Sequence, residues 1–222
     1  MFSGTNIPDP LLLIALVAMV AILPFFALLV TSFTKIVVVL GLLRQALGVQ
    51  QVPPNMVING IALILTAYVM APLGTQALQS IQGKLQGSVQ MRKFEDVNVI
   101  LQSVSAPLRG FLYKHTDERN RKFFMQSAAK LWPAEQAAAV KEDDLLVLIP
   151  GFTVSELTEA FTIGFVIYLA FVVVDLIVAN ILLALGMSMV SPTVISVPFK
   201  LLLFVVLDGW ERLAQGLVLT YV

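Results

Sequence analysis

Five polar side chains stand in places where so apolar a chain should carry none. Lys35, Asp175, Asn180, Lys200 and Asp208 lie within or against long hydrophobic runs. On insertion scales a central Asp, Lys or Arg facing lipid costs roughly 2.5–3.5 kcal/mol, so such groups normally face protein or water. Two chemistries suit them. One is buried pairing, in which Lys35, Asp175, Asn180 and Lys200 fix neighbouring helices against each other. The other is a polar pathway, in its sharpest form an ion site at Asp175. Metal and covalent chemistry find no comparable set. His115 is the only histidine and there are no cysteines. The usual nitrogen–sulfur zinc site therefore cannot be built, and His115 reads as an exposed loop residue. No GxSxG elbow and no GxxxxGK[ST] phosphate loop occur. The chain reads as no enzyme, with no cofactor and no metal.

A loop is the next candidate. Gly186 to Pro192 is bounded by helix breakers, carries no charge and contains Met187, Ser188 and Met189. Unbranched, polarizable methionine fills irregular gaps and re-packs, which suits a deformable seal; packing at a plain helix turn suits it equally. Upstream, Gly164, Tyr168, Phe171, Asp175, Ala179, Leu182 and Gly186 recur at spacings of three and four and share one helix stripe. Its small residues predict close packing on another helix rather than on lipid. Pro150-Gly151, followed by Thr153 and Glu156 at capping-box spacing, predicts that this helix starts there. Glu156 and Glu159 would then complement its positive end.

Long apolar helices must position these groups. The chain has 222 residues, 58% hydrophobic and 13% charged, with a mean hydropathy of +0.89. Soluble domains run about 45–50% apolar and about 25% charged. A helix needs about 20 apolar residues to cross the ~30 Å hydrocarbon core, and four stretches approach that length. They are Leu11 to Val30, with Pro24 interrupting it and a helical continuation to Leu47; Met56 to Leu73, after Pro53-Pro54; Val154 to Leu185; and Val194 to the C-terminus. Between Leu78 and Leu146 the composition changes, and residues 84–144 hold ten of the fourteen basic and eight of the fourteen acidic side chains. There Gln126–Leu131 and Ala134–Ala139 favour helix, with Pro133 between them. The expected fold class is all-α: membrane-class helical hairpins of four long apolar segments with a helical soluble insertion. The expected domains are residues 1–75, the insertion 76–149 and the C-terminal hairpin 150–222. A formal net charge of zero offers no basic excess for nucleic acid. Met1 to Pro10 carries only Asp9 and lacks the basic region of a secretory signal, so the first segment is expected to be retained. Lys35 and Arg44, read as a short connection, favour a cytoplasmic side there and place the insertion outside.

Four stretches together resemble the FliP/SctR family of export-gate subunits in type III secretion systems. The first is Thr31-Ser32-Phe33-Thr34-Lys35, running into Gly41-Leu42-Leu43-Arg44-Gln45-Ala46-Leu47-Gly48-Val49-Gln50-Gln51-Val52-Pro53-Pro54-Asn55. The second is Leu148-Ile149-Pro150-Gly151-Phe152-Thr153-Val154-Ser155-Glu156-Leu157. The third is Val172-Val173-Val174-Asp175-Leu176-Ile177-Val178-Ala179-Asn180, followed by Leu183-Ala184-Leu185-Gly186-Met187-Ser188-Met189-Val190-Ser191-Pro192. The fourth is Ile195-Ser196-Val197-Pro198-Phe199-Lys200, ending in Leu207-Asp208-Gly209-Trp210. Val49 to Pro54 and Lys130-Leu131-Trp132-Pro133 resemble the injectisome branch more than the flagellar one. The family usually has three consecutive methionines where this chain has Met187-Ser188-Met189. Many relatives have Leu-Pro-Phe at Leu169-Ala170-Phe171 and Pro-Ala-Phe at Pro150-Gly151-Phe152, so a straighter third helix is expected here.

The resemblance implies a homopentamer that joins SctS/FliQ-type and SctT/FliR-type subunits in one export gate. It implies partnership with SctU/FlhB-type and SctV/FlhA-type export proteins and passage of unfolded secreted substrates, without nucleic acid. It implies residence in the bacterial inner membrane, with the assembled complex largely on the periplasmic side, and a pore gasket at Met187, Ser188 and Met189. Two other function classes stand beside it: a scaffold that only nucleates assembly, and a small secondary transporter or channel subunit with an ion site near Asp175. The break between Gly186 and Pro198 keeps that reading open.

Overall fold

The structure, a computed structural model, describes residues 10–49, 51–84 and 94–222. Readings that fall on Met1 to Asp9, on Gln50 and on residues 85–93 lie outside the described residues. Within the described residues every regular element is a helix: α1 (Pro10–Val30), α2 (Phe33–Leu47), α3 (Asn55–Lys84), α4 (Phe94–His115), α5 (Glu118–Leu131), α6 (Ala134–Ala139), α7 (Leu145–Ala184), α8 (Pro192–Val206) and α9 (Gly209–Leu219). The chain divides into two compact units. One comprises residues up to Thr31 with Met70–Val154, and the other comprises Ser32–Val69 with Ser155–Val222.

In the first unit Val30, Leu112, Leu148 and Phe152 form a buried cluster, with the Phe111 ring 5.7 Å from that of Phe152. α5 ends at Leu131 and α6 begins at Ala134, on either side of Pro133 as its fixed φ requires. His115 is the last residue of α4, half-buried with its ring 4.7 Å from Phe111, and not the exposed loop residue expected. The expected helix start after Pro150-Gly151 is also overturned: α7 begins at Leu145, ahead of that pair. The backbone carbonyl of Asp144 accepts from the amides of Val147 and Leu148. Pro150 is tolerated inside the helix because buried Leu148 and Phe152 hold the turn by packing. Thr153 is therefore interior, its hydroxyl donating back to the Ile149 carbonyl at 2.9 Å rather than capping anything.

In the second unit α2 is the central element, with Ile36, Val39, Leu40, Leu43, Ala46 and Leu47 all buried. α7 turns Glu156, Ala160, Gly164, Phe171, Val178 and Leu182 inward at helical spacing, with Asp175 half-buried on the same side. Tyr168 and Gly186 of the expected stripe are exposed instead. At Gly164 α7 packs tightly against Leu42 of α2. A Cβ there would lie 2.2 Å from Leu42 Cδ1 and 3.0 Å from Leu42 Cβ. Gly164→Ala is expected to cost about 1–3 kcal/mol by overpacking, read as a lower melting temperature of the purified protein. An unchanged melt would show that the two helices separate freely.

Two helices, Asn55–Gly83 and Leu145–Ala184, are long and apolar enough to cross a membrane, and the number rises to four if each bent pair of helices forms one span. The chain buries only 17% of either window within itself. The molecule is thus an all-α, membrane-class protein. Two expected segments differ in detail. The first breaks at Thr31–Ser32 and not at Pro24, which lies inside α1. The fourth bends by 63° between α8 and α9. There Asp208 adopts a left-handed φ of 52°, and a Cβ on Gly209 would meet the Phe204 ring at 2.2 Å.

Candidate functional site

Lys35 is the third residue of α2, close to the positive end of that helix, where a cation is disfavoured. It is 1% exposed, so it needs anionic partners from elsewhere. α7 supplies two, on adjacent turns of one face: Glu156 at 2.9 Å and Glu159 at 2.8 Å from Nζ. The last residues complete the cluster. The Tyr221 hydroxyl donates to Glu156 Oε2, and its ring centre lies 4.1 Å from Lys35 Nζ. Nζ also reaches Thr220 Oγ1 at 3.5 Å. Glu156 is as buried as Lys35, whereas Glu159 is half exposed. Lys35 and Arg44 are therefore helix residues rather than a charged connection, and Lys35 carries no topology signal. Arg44 points to the next segment, donating to Asn55 Oδ1 at 2.6 Å.

A second cluster forms at the other end of α2. Ala46 lies in the last turn, whose carbonyls have no helical partner and which carries the negative end of the dipole. Lys200 on α8 donates to the Ala46 carbonyl at 3.0 Å and pairs with Asp175 Oδ2 on α7 at 2.7 Å. Ser196, one turn before Lys200, donates to Asp175 Oδ1 at 2.5 Å. Gly48 closes α2 with a left-handed φ of 74°, and a Cβ there would press Val197 Cγ2 at 3.0 Å. Thus one ammonium ties α2, α7 and α8 together. Asp175 and Lys200 are brought into contact. Asn180 is exposed rather than buried within the chain, because it lies two residues from both Val178 and Leu182 and so faces away from their stripe.

The loop between α7 and α8 is stopped by backbone geometry. Gly186 has φ 71°, its amide donates to the Leu183 carbonyl, and the Met187 amide donates to the Leu182 carbonyl. These two bonds make a Schellman stop, which needs a left-handed residue where Gly186 stands. Past it, Met187, Ser188 and Met189 are all exposed, and Met189 is 99% exposed. Val190 is half-buried and leads to Ser191 and Pro192, which open α8. The loop therefore presents two thioethers outward from a fixed stop.

Sequence reasoning missed Glu156, Glu159 and Tyr221 as partners of Lys35. A signal existed: the third apolar segment holds three carboxylates and no cation. Its buried acids therefore had to find lysines from other segments.

The FliP family model matches residues 16–217. The chain is 57% identical over 211 residues to Pathogenicity-related ORF2 of Xanthomonas campestris pv. glycines, covering 95% of this chain and 96% of that one. It is 56% identical over 211 residues to Hypersensitivity response secretion protein HrcR of Ralstonia nicotianae, covering 94% and 96%. To Yop proteins translocation protein R of Yersinia pestis it is 49% identical over 216 residues, covering 97% and 98%.

Proposed function

The chain belongs to the FliP family, and on that premise we propose that it is a core subunit of a type III secretion export apparatus of the injectisome branch. In this reading it works as part of a conduit and performs no catalysis itself. The relatives named for hypersensitivity response secretion and Yop translocation support the injectisome assignment. The chain assembles with other export-gate subunits: as a homopentamer, with SctS/FliQ-type and SctT/FliR-type neighbours and SctU/FlhB-type and SctV/FlhA-type export proteins. It resides in the bacterial inner membrane with the complex largely on the periplasmic side, where residues 76–149 form the insertion. The apolar faces that α3 and α7 leave uncovered support such assembly, since 17% burial leaves most of each helix to neighbours or lipid. Expressed with its partners, the chain is expected to run in native mass spectrometry as an oligomer, and only-monomer spectra would remove the idea.

The observation that carries the conduit reading is the exposed loop of Met187, Ser188 and Met189 on its Schellman stop. Repeated around a ring, these side chains would form a seal that yields to a passing chain. Both carboxylate oxygens of Asp175 are already engaged by Lys200 and Ser196, which argues against an ion site there. Replacing Met187 and Met189 together by alanine is expected to leave the complex assembled but leaky to small ions in a reconstituted bilayer. Ser188→Met is expected to tighten the seal or change nothing. A double variant as tight as the parent would refute the gasket.

A further inference from the structure

The chain has no cysteine, so every sulfur in it that can be oxidised is a thioether. Five methionines have described side chains: Met56, Met70, Met125, Met187 and Met189. Met70 and Met125 are half-buried, and Met56 stands 84% exposed in the first turn of α3. Met187 and Met189 differ from all three, because they stand two residues apart on one short loop, 44% and 99% exposed. The backbone there is held without help from either side chain. The Met187 amide donates to the Leu182 carbonyl, and the Met187 carbonyl accepts from the Val190 amide at 3.3 Å. Ser188, between them, is exposed too, and Gly186 to Pro192 carries no charge. A change of chemistry at the two sulfurs therefore alters the surface that the loop presents and leaves its fold alone.

We propose that Met187 and Met189 form a paired oxidation site, at which conversion of the thioethers to sulfoxides breaks the seal of the gate. The proposal rests on the gasket reading and adds a chemical control of that seal. The co-reactant is a small, water-soluble, two-electron oxidant of the peroxide class. A sulfur lone pair attacks one peroxide oxygen, forming an S–O bond as the O–O bond breaks. The sulfur is oxidised by two electrons, and the other oxygen takes up the proton of the transferred one and leaves as water. Access decides which methionines react first, and a sulfur on an exposed loop meets the oxidant sooner than one packed against neighbours. The product is polar and chiral where the thioether was flexible and apolar. What makes methionine a good seal is then lost. A sulfoxide oxygen shut into a dry ring without a donor disfavours closure by on the order of tenfold. Ser188 brings one hydroxyl donor to two sulfoxides, too few to satisfy both. The reaction is reversible, since a reductase for each sulfoxide epimer restores the thioether.

The test uses the complex assembled with its partners, reconstituted in a bilayer and treated with hydrogen peroxide. Peptide mass spectrometry is expected to find sulfoxide at Met187 and Met189 before Met70 and Met125. Conductance is expected to rise on the order of tenfold, and the two sulfoxide reductases are expected to bring it back. Each variant is then compared with itself before and after peroxide. Met187→Leu with Met189→Leu, apolar and of similar volume but without sulfur, is expected to show no rise. Met56→Leu is expected to rise as the parent does, although it removes a sulfur that the single chain leaves exposed. Met70 or Met125 oxidised ahead of the loop, or a rise that survives in the leucine pair, overturns the oxidation site. So does sulfoxide at both positions with no rise at all. The alanine pair at the same positions separates this outcome from the gasket. If that pair leaks and the oxidised parent does not, only the redox assignment falls; if neither leaks, the gasket falls with it.

Discussion

Replacing Lys35 by methionine is expected to prevent the folded chain from accumulating. Lys35 is the cation held by both Glu156 and Glu159, and two of the three groups are 1% exposed. Breaking a buried pair by removing one partner costs about 3–5 kcal/mol, because the stranded charge keeps its desolvation penalty. That is a large share of the roughly 5–15 kcal/mol by which native proteins are stable. The acids differ in weight. Glu156→Gln leaves Lys35 with Glu159 and leaves Tyr221 an acceptor, so it is expected to cost less than Lys35→Met. Glu159→Gln is expected to cost least, because Glu159 is half exposed and already solvated. Tyr221→Phe removes the hydroxyl from Glu156 and is expected to cost about 1–3 kcal/mol, the price of an unmade bond at a buried acceptor. The measurement is the yield of detergent-extracted protein and its half-life at a fixed temperature. The decisive variant is the triple Lys35→Met, Glu156→Gln, Glu159→Gln, which removes the charges together and is expected to recover most of the loss. If Lys35→Met alone matches the parent, the cluster holds nothing together.

How much of this was legible in the sequence follows from which interactions are local. Hydropathy and the spacing of Gly164, Phe171, Asp175 and Leu182 located α7 and its inward side, because a 3.6-residue period is written in consecutive residues. The break at Gly186 was legible for the same reason: a left-handed stop needs glycine. The start of α7 was not. A Pro-Gly pair reads locally as a breaker, and only the packing of Leu148 and Phe152 on Leu112 and Val30 keeps the helix running through it. Pairing partners were the least legible part. Lys35 and Glu156 are 121 positions apart, and nothing local to either names the other. The same holds for Lys200 and the Ala46 carbonyl, since a backbone acceptor leaves no trace in side-chain chemistry. The branch of the family was legible because it rests on runs of consecutive residues such as Val49 to Pro54.

Asp175→Ala is expected to damage the protein more than Lys200→Met, and to loosen the gate as well as the fold. The two sides of the pair are unequal. Lys200 is 3% exposed and Asp175 36%, so losing Asp175 strands a buried cation, whereas losing Lys200 strands an anion that water already reaches. A buried unpaired charge belongs in the range of about 3–5 kcal/mol, and the half-exposed one well below it after solvent screening. The pair also has a mechanical position. Asp175 lies nine residues before the end of α7 at Ala184, and Lys200 eight residues after the start of α8 at Pro192. It therefore closes the two arms of the hairpin beneath the loop that carries Met187 and Met189. Purified complexes bearing Asp175→Ala are expected to be fewer, and those that form are expected to leak ions in a bilayer. A charge swap, Asp175→Lys with Lys200→Asp, separates pairing from capping. It restores an ion pair but sets a carboxylate against the Ala46 carbonyl at the negative end of α2, where a cation belongs. Recovery is therefore expected to be partial. Full recovery would show that the contact with α2 contributes nothing, and equal, near-normal assembly of both single variants would remove the pair from the account of the gate.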